Sequence, residues 1–208
     1  MQVALLKKLV KVRRHIRAQL NPAAEQLIQF GATQSQLVAL GVLMALGSGL
    51  CIVLFSESRW TLLLIPITMV CQGLLSAISG QMRQIQAIES APDRLLQLLC
   101  KTAGEVALYL PLGAVSGVCP YLMTLAVVLT LFAELTGAGA VLAGSSRRED
   151  GPMRRRERMV VFACLGTVLG LGLPTGRWLD IVLGVIDILL GITIVIRFRR
   201  ATDSVTSG

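Results

Sequence analysis

Charge, aromatic rings and histidine are all scarce in this chain. Of its 208 residues, 15% are Asp, Glu, Lys or Arg and 4% are Phe, Trp or Tyr, and there is one histidine, His15. With 54% apolar residues, so little charge excludes an ordinary soluble domain of this length. The five cysteines (Cys51, Cys71, Cys100, Cys119, Cys164) never fall in Cys-x-x-Cys spacing, so neither a zinc site nor a disulfide framework is implied. They read as small apolar residues inside apolar runs. His15 lies in a basic stretch and reads as a solvated or headgroup-facing side chain. A cleavable leader is not seen, because Lys7, Lys8 and Lys11 interrupt the first apolar stretch. Nor is there the polar/apolar alternation of membrane β-strands.

What is present is a series of continuous apolar runs, with a mean hydropathy of +0.71 over the chain. Several reach the roughly 20 residues that cross a bilayer as a helix. The expected fold class is an all-α integral membrane protein, a single domain over 1–208, with six transmembrane helices at 32–55, 60–82, 94–113, 119–143, 159–175 and 178–197. Residues 198–208 are expected to form a cytoplasmic tail. The segment 1–22 is expected to be an interfacial amphipathic helix: Leu5, Leu6, Leu9, Val10, Val12, Ile16 and Leu20 share one face, and basic residues fill the rest. Six spans put both termini on one side. On that arrangement all of the 20 lysines and arginines except Arg59 and Arg177 face the same side, which the positive-inside rule makes cytoplasmic. The net charge of +8 is thus spent on one membrane face, where it attracts anionic lipids rather than nucleic acid. An inner-membrane, multi-pass location follows.

The polar residues at the end of the second run and the start of the third have a regular spacing. The stretch Ser76-Ala-Ile-Ser79-Gly80-Gln-Met-Arg83-Gln84 is followed after eight residues by Asp93, then by Gln97 and Lys101 at intervals of four. This resembles the motif D-x-x-D-G-x-x-A-R-x8-G-x3-D-x3-D of the CDP-alcohol phosphatidyltransferase family, the membrane phospholipid synthases. Further stretches resemble a bacterial branch of that family. They are Glu105-Val-Ala-Leu-Tyr-Leu-Pro111, Glu134 in the fourth run, and the loop Ser146-Arg147-Arg148-Glu-Asp-Gly-Pro-Met153 ending at Arg158, with Arg155 and Glu157 in place of that branch's Lys and Asp.

The resemblance implies a six-span fold, a dimer, a CDP-activated lipid as donor, and Mg2+ or Mn2+ held by the motif aspartates. Those four positions hold Ser76, Ser79, Gln97 and Lys101, the arginine position holds Gln84, and the second glycine is Asp93; Gly80 alone is kept. Hydroxyls and one amide are poor ligands for a hard cation, and an ammonium repels one. No metal and no other cofactor are expected. Glu89 and Glu105 are the candidate substitute carboxylates, and Lys101 has the spacing to pair with Glu105. The resemblance also makes Arg147, Arg148, Arg155 and Arg158 candidates for a pocket holding the phosphate of an acceptor. Two functions fit these residues. One is a catalytically degenerate homologue, a pseudoenzyme paired with itself or with an active paralogue in phospholipid biosynthesis. The other is an active metal-dependent transferase using a rearranged carboxylate set.

Overall fold

A computed structural model of the chain describes residues 21–22, 24–86, 91–142 and 151–206. The expected amphipathic helix at 1–22 lies almost wholly outside them. Glu89, Arg147 and Arg148 lie outside as well, and so does the side chain of Asp93. Every regular element among the described residues is helical: α1 (Gln34–Leu54), a 3-10 turn (Arg59–Leu63), α2 (Leu64–Gln86), α3 (Ala91–Tyr109), a second 3-10 turn (Leu110–Ala114), α4 (Pro120–Leu142), α5 (Arg155–Gly170) and α6 (Arg177–Thr206).

Among the described residues five stretches are long and apolar enough to cross a membrane: Gln34–Leu54, Arg59–Ile85, Leu95–Ala114, Pro120–Gly139 and Arg177–Arg200. They match five of the six expected spans within a few residues. The sixth, 159–175, differs. Helix α5 has 16 residues, so at 1.5 Å per residue it is about 24 Å long, short of the roughly 30 Å apolar core of a bilayer. Its apolar run continues through Leu171 and Leu173, but the backbone turns at Gly172. There φ is +100°, and the amides of Gly172 and Leu173 close on the carbonyls of Leu169 and Val168 as a glycine C-cap. The last helix runs longer than expected, since α6 continues to Thr206 through much of the segment read as a tail.

The chain groups into two compact units, each described by itself: residues 1–43 with 70–101, and residues 44–69 with 102–208. In the first unit a short helix over 24–29 ends at Gly31 (φ +73°), with the Gly31 and Ala32 amides bonded to the carbonyls of Ile28 and Leu27. Helix α1 then starts with a capping box. The Thr33 amide donates to Gln36 Oε1 at 3.0 Å, and the Gln36 amide donates to Thr33 Oγ1 at 3.3 Å. Ala24, Leu37 and Met82 are buried here, packed by Leu27, Ile28, Leu75 and Ile78. Gln72 of α2 donates its amide to the Gly41 carbonyl of α1 at 3.1 Å.

The second unit holds the larger core, including Ile52, Ile65, Leu108, Tyr109, Met123, Phe162, Leu183 and Leu190. Small residues set its spacing. A Cβ on Gly49 of α1 would lie 2.1 Å from the Ala107 carbonyl oxygen of α3, so these two backbones touch. Gly166 and Gly170 of α5 meet Ile65 and Leu63 in the same way. The loop 151–153 lies on α6, where the Met153 amide donates to Thr193 Oγ1 at 3.0 Å. Both tryptophans of the chain stand near the C-terminal end of α5. Trp60 is in the 3-10 turn that α5 packs on and is 75% exposed, and Trp178 opens α6 and donates Nε1–H to the Pro174 carbonyl. Large apolar side chains such as Leu43, Leu50, Phe132, Ile181 and Ile188 point outward, as they do where the surrounding medium is hydrocarbon.

Candidate functional site

Two groups of polar residues stand out, one in each unit. The first is the motif region at the end of α2 and the start of α3. Ser79 is buried, and its hydroxyl donates to the Ser76 carbonyl one turn back at 3.1 Å, so its proton is committed locally. Gln97 of α3 donates Nε2–H to Gln34 Oε1 of α1 at 2.9 Å, an amide pair that ties two helices of this unit. Gln84 is exposed, while Ser76, Gly80 and Lys101 are half-buried. A Cβ on Gly80 would meet open space, so the backbone remains approachable there. Among the described residues no three His, Cys, Asp or Glu side chains come together as a metal site would require. The side chains at the four aspartate positions of the motif, two hydroxyls, an amide and an ammonium, do not fit Mg2+ or Mn2+.

The second group lies in the other unit, where four helices contribute side chains to one ionic cluster. Arg158 of α5 is completely buried, and its Nη2 donates both to Glu105 Oε2 of α3 and to Glu134 Oε1 of α4, at 2.9 Å each. Arg155 donates Nε–H to the other oxygen of Glu105. Arg197 of α6 lies 4.0 Å from Glu134 and donates to the Ala133 carbonyl. Burial alone would lower the pKa of the Arg158 guanidinium. Glu105 and then Glu134 outweigh that and hold it above the ordinary arginine value. Beside the cluster, the Tyr109 ring stacks on Phe162 with centroids 4.0 Å apart. The Tyr109 hydroxyl is buried with no hydrogen-bond partner among the described residues.

The candidate residues thus fall into different environments. Glu105, read as a substitute catalytic carboxylate, has both oxygens engaged by arginines. Arg155 and Arg158, read as phosphate ligands, bind carboxylates of the chain itself. Glu134 and Arg197 complete a cluster that spacing along the chain could not assemble, since partners such as Glu105 and Arg158 are 53 residues apart. The visible signal was the placement of acids inside apolar runs, where they need a partner. Asp187, near the middle of α6, carries the same signal, yet it is buried and neither oxygen has a hydrogen-bond partner among the described residues.

No family model and no curated protein matches the chain. Among solved structures it is similar to the crystal structure of Mycobacterium tuberculosis phosphatidylinositol phosphate synthase (PgsA1) with CDP-DAG bound. The TM-score is 0.74 at 16% identity, over 88% of this chain and 92% of that one. The two share one fold. With that synthase fold and five helices able to cross a bilayer, the chain is a multi-pass membrane protein. At so low an identity the shared architecture extends to nearly the whole chain, while the side chains that would do the chemistry have to be judged on their own.

Proposed function

We propose that this chain is a catalytically degenerate protein of the CDP-alcohol phosphatidyltransferase type, which serves phospholipid biosynthesis by association rather than by phosphoryl transfer. One observation carries the reading. At the positions where the motif has aspartates, Ser79 bonds its own helix backbone, Gln97 bonds Gln34, and Lys101 contributes a positive charge. Losing one ligand weakens a divalent-cation site, but replacing every carboxylate removes the charge that such an ion needs. Of the substitute carboxylates, Glu105 is engaged by Arg155 and Arg158, which weakens the alternative of a rearranged metal-dependent transferase.

The fold shared with a CDP-DAG-binding synthase, and the open space above Gly80, support retained contact with a CDP-activated lipid. The partner in association is a second copy of the chain or an active paralogue. The distribution of Lys and Arg supports an inner-membrane protein with both termini cytoplasmic. The exposed Arg154, Arg156, Arg199 and Arg200 would then meet anionic headgroups, each contributing about 1 kcal/mol near the surface.

The test is calorimetric titration of the purified full-length protein with CDP-diacylglycerol, with and without Mg2+ or Mn2+. Binding indifferent to metal is the expected result; no binding would keep the degenerate reading but remove the retained lipid contact. Binding that requires the metal would overturn the reading and direct assays of transfer to Glu89, Asp93 and Glu105 variants.

A further inference from the structure

Helix α5 meets its surroundings over a shorter apolar length than α6 does. Its outward face carries Val160, Cys164, Val168 and Leu171, at spacings of three and four residues that keep to one side of a helix. Charge bounds that face at both ends. At the start, Arg156 and Glu157 are both exposed. At the other end the backbone turns at Gly172, and Arg59 Nη1 donates to the Gly172 carbonyl at 3.5 Å, which holds an exposed guanidinium level with the turn. Trp60, also exposed, adjoins that end, as indole rings do at the water boundary of a bilayer. Gly172 lies fifteen residues after Glu157, so the face between the charges is about 23 Å long. On α6 the exposed run from Ile181 to Phe198 is bounded by Trp178 and Arg199, about 32 Å apart. A bilayer core is about 30 Å thick, so α6 matches it and α5 falls short by about 7 Å.

We infer that the α5 face thins the bilayer beside it and selects phospholipids with short acyl chains. Other ways of absorbing the shortfall are closed by the residues present. Sliding α5 along the membrane normal moves one charged end into hydrocarbon as it moves the other out. Tilting shortens the spanned depth further. Snorkelling serves Arg156, whose aliphatic stem lies in lipid while its guanidinium reaches water, but Glu157 beside it has only a short side chain. Running the chain past Gly172 as bare backbone is no remedy, because lipid leaves its amides unsatisfied. The remaining response is in the lipid. Chains around α5 are compressed to the length of the face, at a cost that rises with every ångström of mismatch. Short chains reduce that cost and long chains raise it, so the lipids touching α5 are sorted by length. The selection acts on the acyl chains and not on the headgroup, and it stands whether or not the motif region binds a CDP-activated lipid.

The test uses the chain's own fluorescence, since Trp60 and Trp178 both stand near the C-terminal end of α5. The full-length protein is reconstituted in vesicles of phosphatidylcholine with brominated oleoyl chains, which quench tryptophan on contact. Unbrominated dimyristoleoyl, dioleoyl and dierucoyl phosphatidylcholines then compete for the same positions, and the recovery of fluorescence ranks them. The dimyristoleoyl lipid should displace the brominated one at least about threefold better than the dierucoyl lipid. Arg156→Leu with Glu157→Leu lengthens the apolar face by a turn at unchanged net charge, and it should shift the ratio toward the longer lipid. Glu157→Leu alone serves if the double variant fails to fold. Arg199→Leu removes a charge from α6, whose face already matches, and should leave the ratio as it is. The inference is overturned if the wild type ranks the chains equally or prefers the longer, if the preference survives the lengthening substitutions, or if Arg199→Leu abolishes it as well. Absence of quenching in every lipid would also overturn it, by placing protein, such as a second copy of the chain, over this face.

Discussion

The motif region and the ionic cluster treat polar side chains in opposite ways. In the motif region the spaced positions hold two serines, a glutamine and a lysine rather than acids, and two of these side chains are satisfied through single bonds: Ser79 to a backbone carbonyl, Gln97 to Gln34. In the cluster the acids remain and are neutralised, with Glu105 and Glu134 sharing arginines from two helices. A protein interior can avoid bare negative charge in either way, by carrying no acid or by supplying the opposite charge. The difference teaches that the two regions carry unequal structural weight. A neutral pair contributes about 1 kcal/mol, whereas a buried charge stripped of its partner costs several times as much.

That inequality can be broken by substitution. Arg158→Met should have the largest effect. It leaves Glu105 and Glu134 buried with less than their full complement of cations, and it should destabilise the protein by about 3–5 kcal/mol, read as a lowered thermal midpoint in detergent. Gly49→Ala comes next. The added Cβ has no room beside the Ala107 carbonyl, so α1 and α3 must separate, at a cost of about 1–3 kcal/mol by the same measurement. Gln97→Ala should cost least, about 1 kcal/mol, because Gln34 is only partly buried and water can replace the lost partner. If Gln97→Ala proved as damaging as Arg158→Met, the motif region would be a stability centre and the contrast between the two regions would fail.

Much of the helix layout was legible along the chain. The apolar runs placed α1, α2, α3, α4 and the start of α6 within a few residues, because burial in lipid demands continuous helices and leaves few choices of boundary. The end of α5 was misplaced for a local reason: Leu171 and Leu173 continue the apolar run, and only the positive φ of Gly172 stops the helix. The motif spacing was legible too, since Ser76, Ser79, Gln97 and Lys101 fall at the intervals of the motif they resemble. The ionic cluster was not. Glu105, Glu134, Arg155 and Arg158 were singled out along the chain and Arg197 was not, and pairing Glu105 with Arg158, or Glu134 with Arg197, requires the helices to be placed side by side first. The same holds for Gln34 and Gln97, two uncharged residues that give no sign along the chain of needing one another.

The placement of the tryptophans has a practical consequence. Trp60 and Trp178 are the only two in the chain, and both stand near the C-terminal end of α5. Arg155 and Arg158 lie in the first turn of the same helix, about 18–22 Å from that end along its axis. Intrinsic fluorescence is therefore an optical label on one end of the bundle alone. It reports unfolding or a change of lipid at that end, and it is blind to the protonation or occupancy of the ionic cluster, which needs a probe of its own.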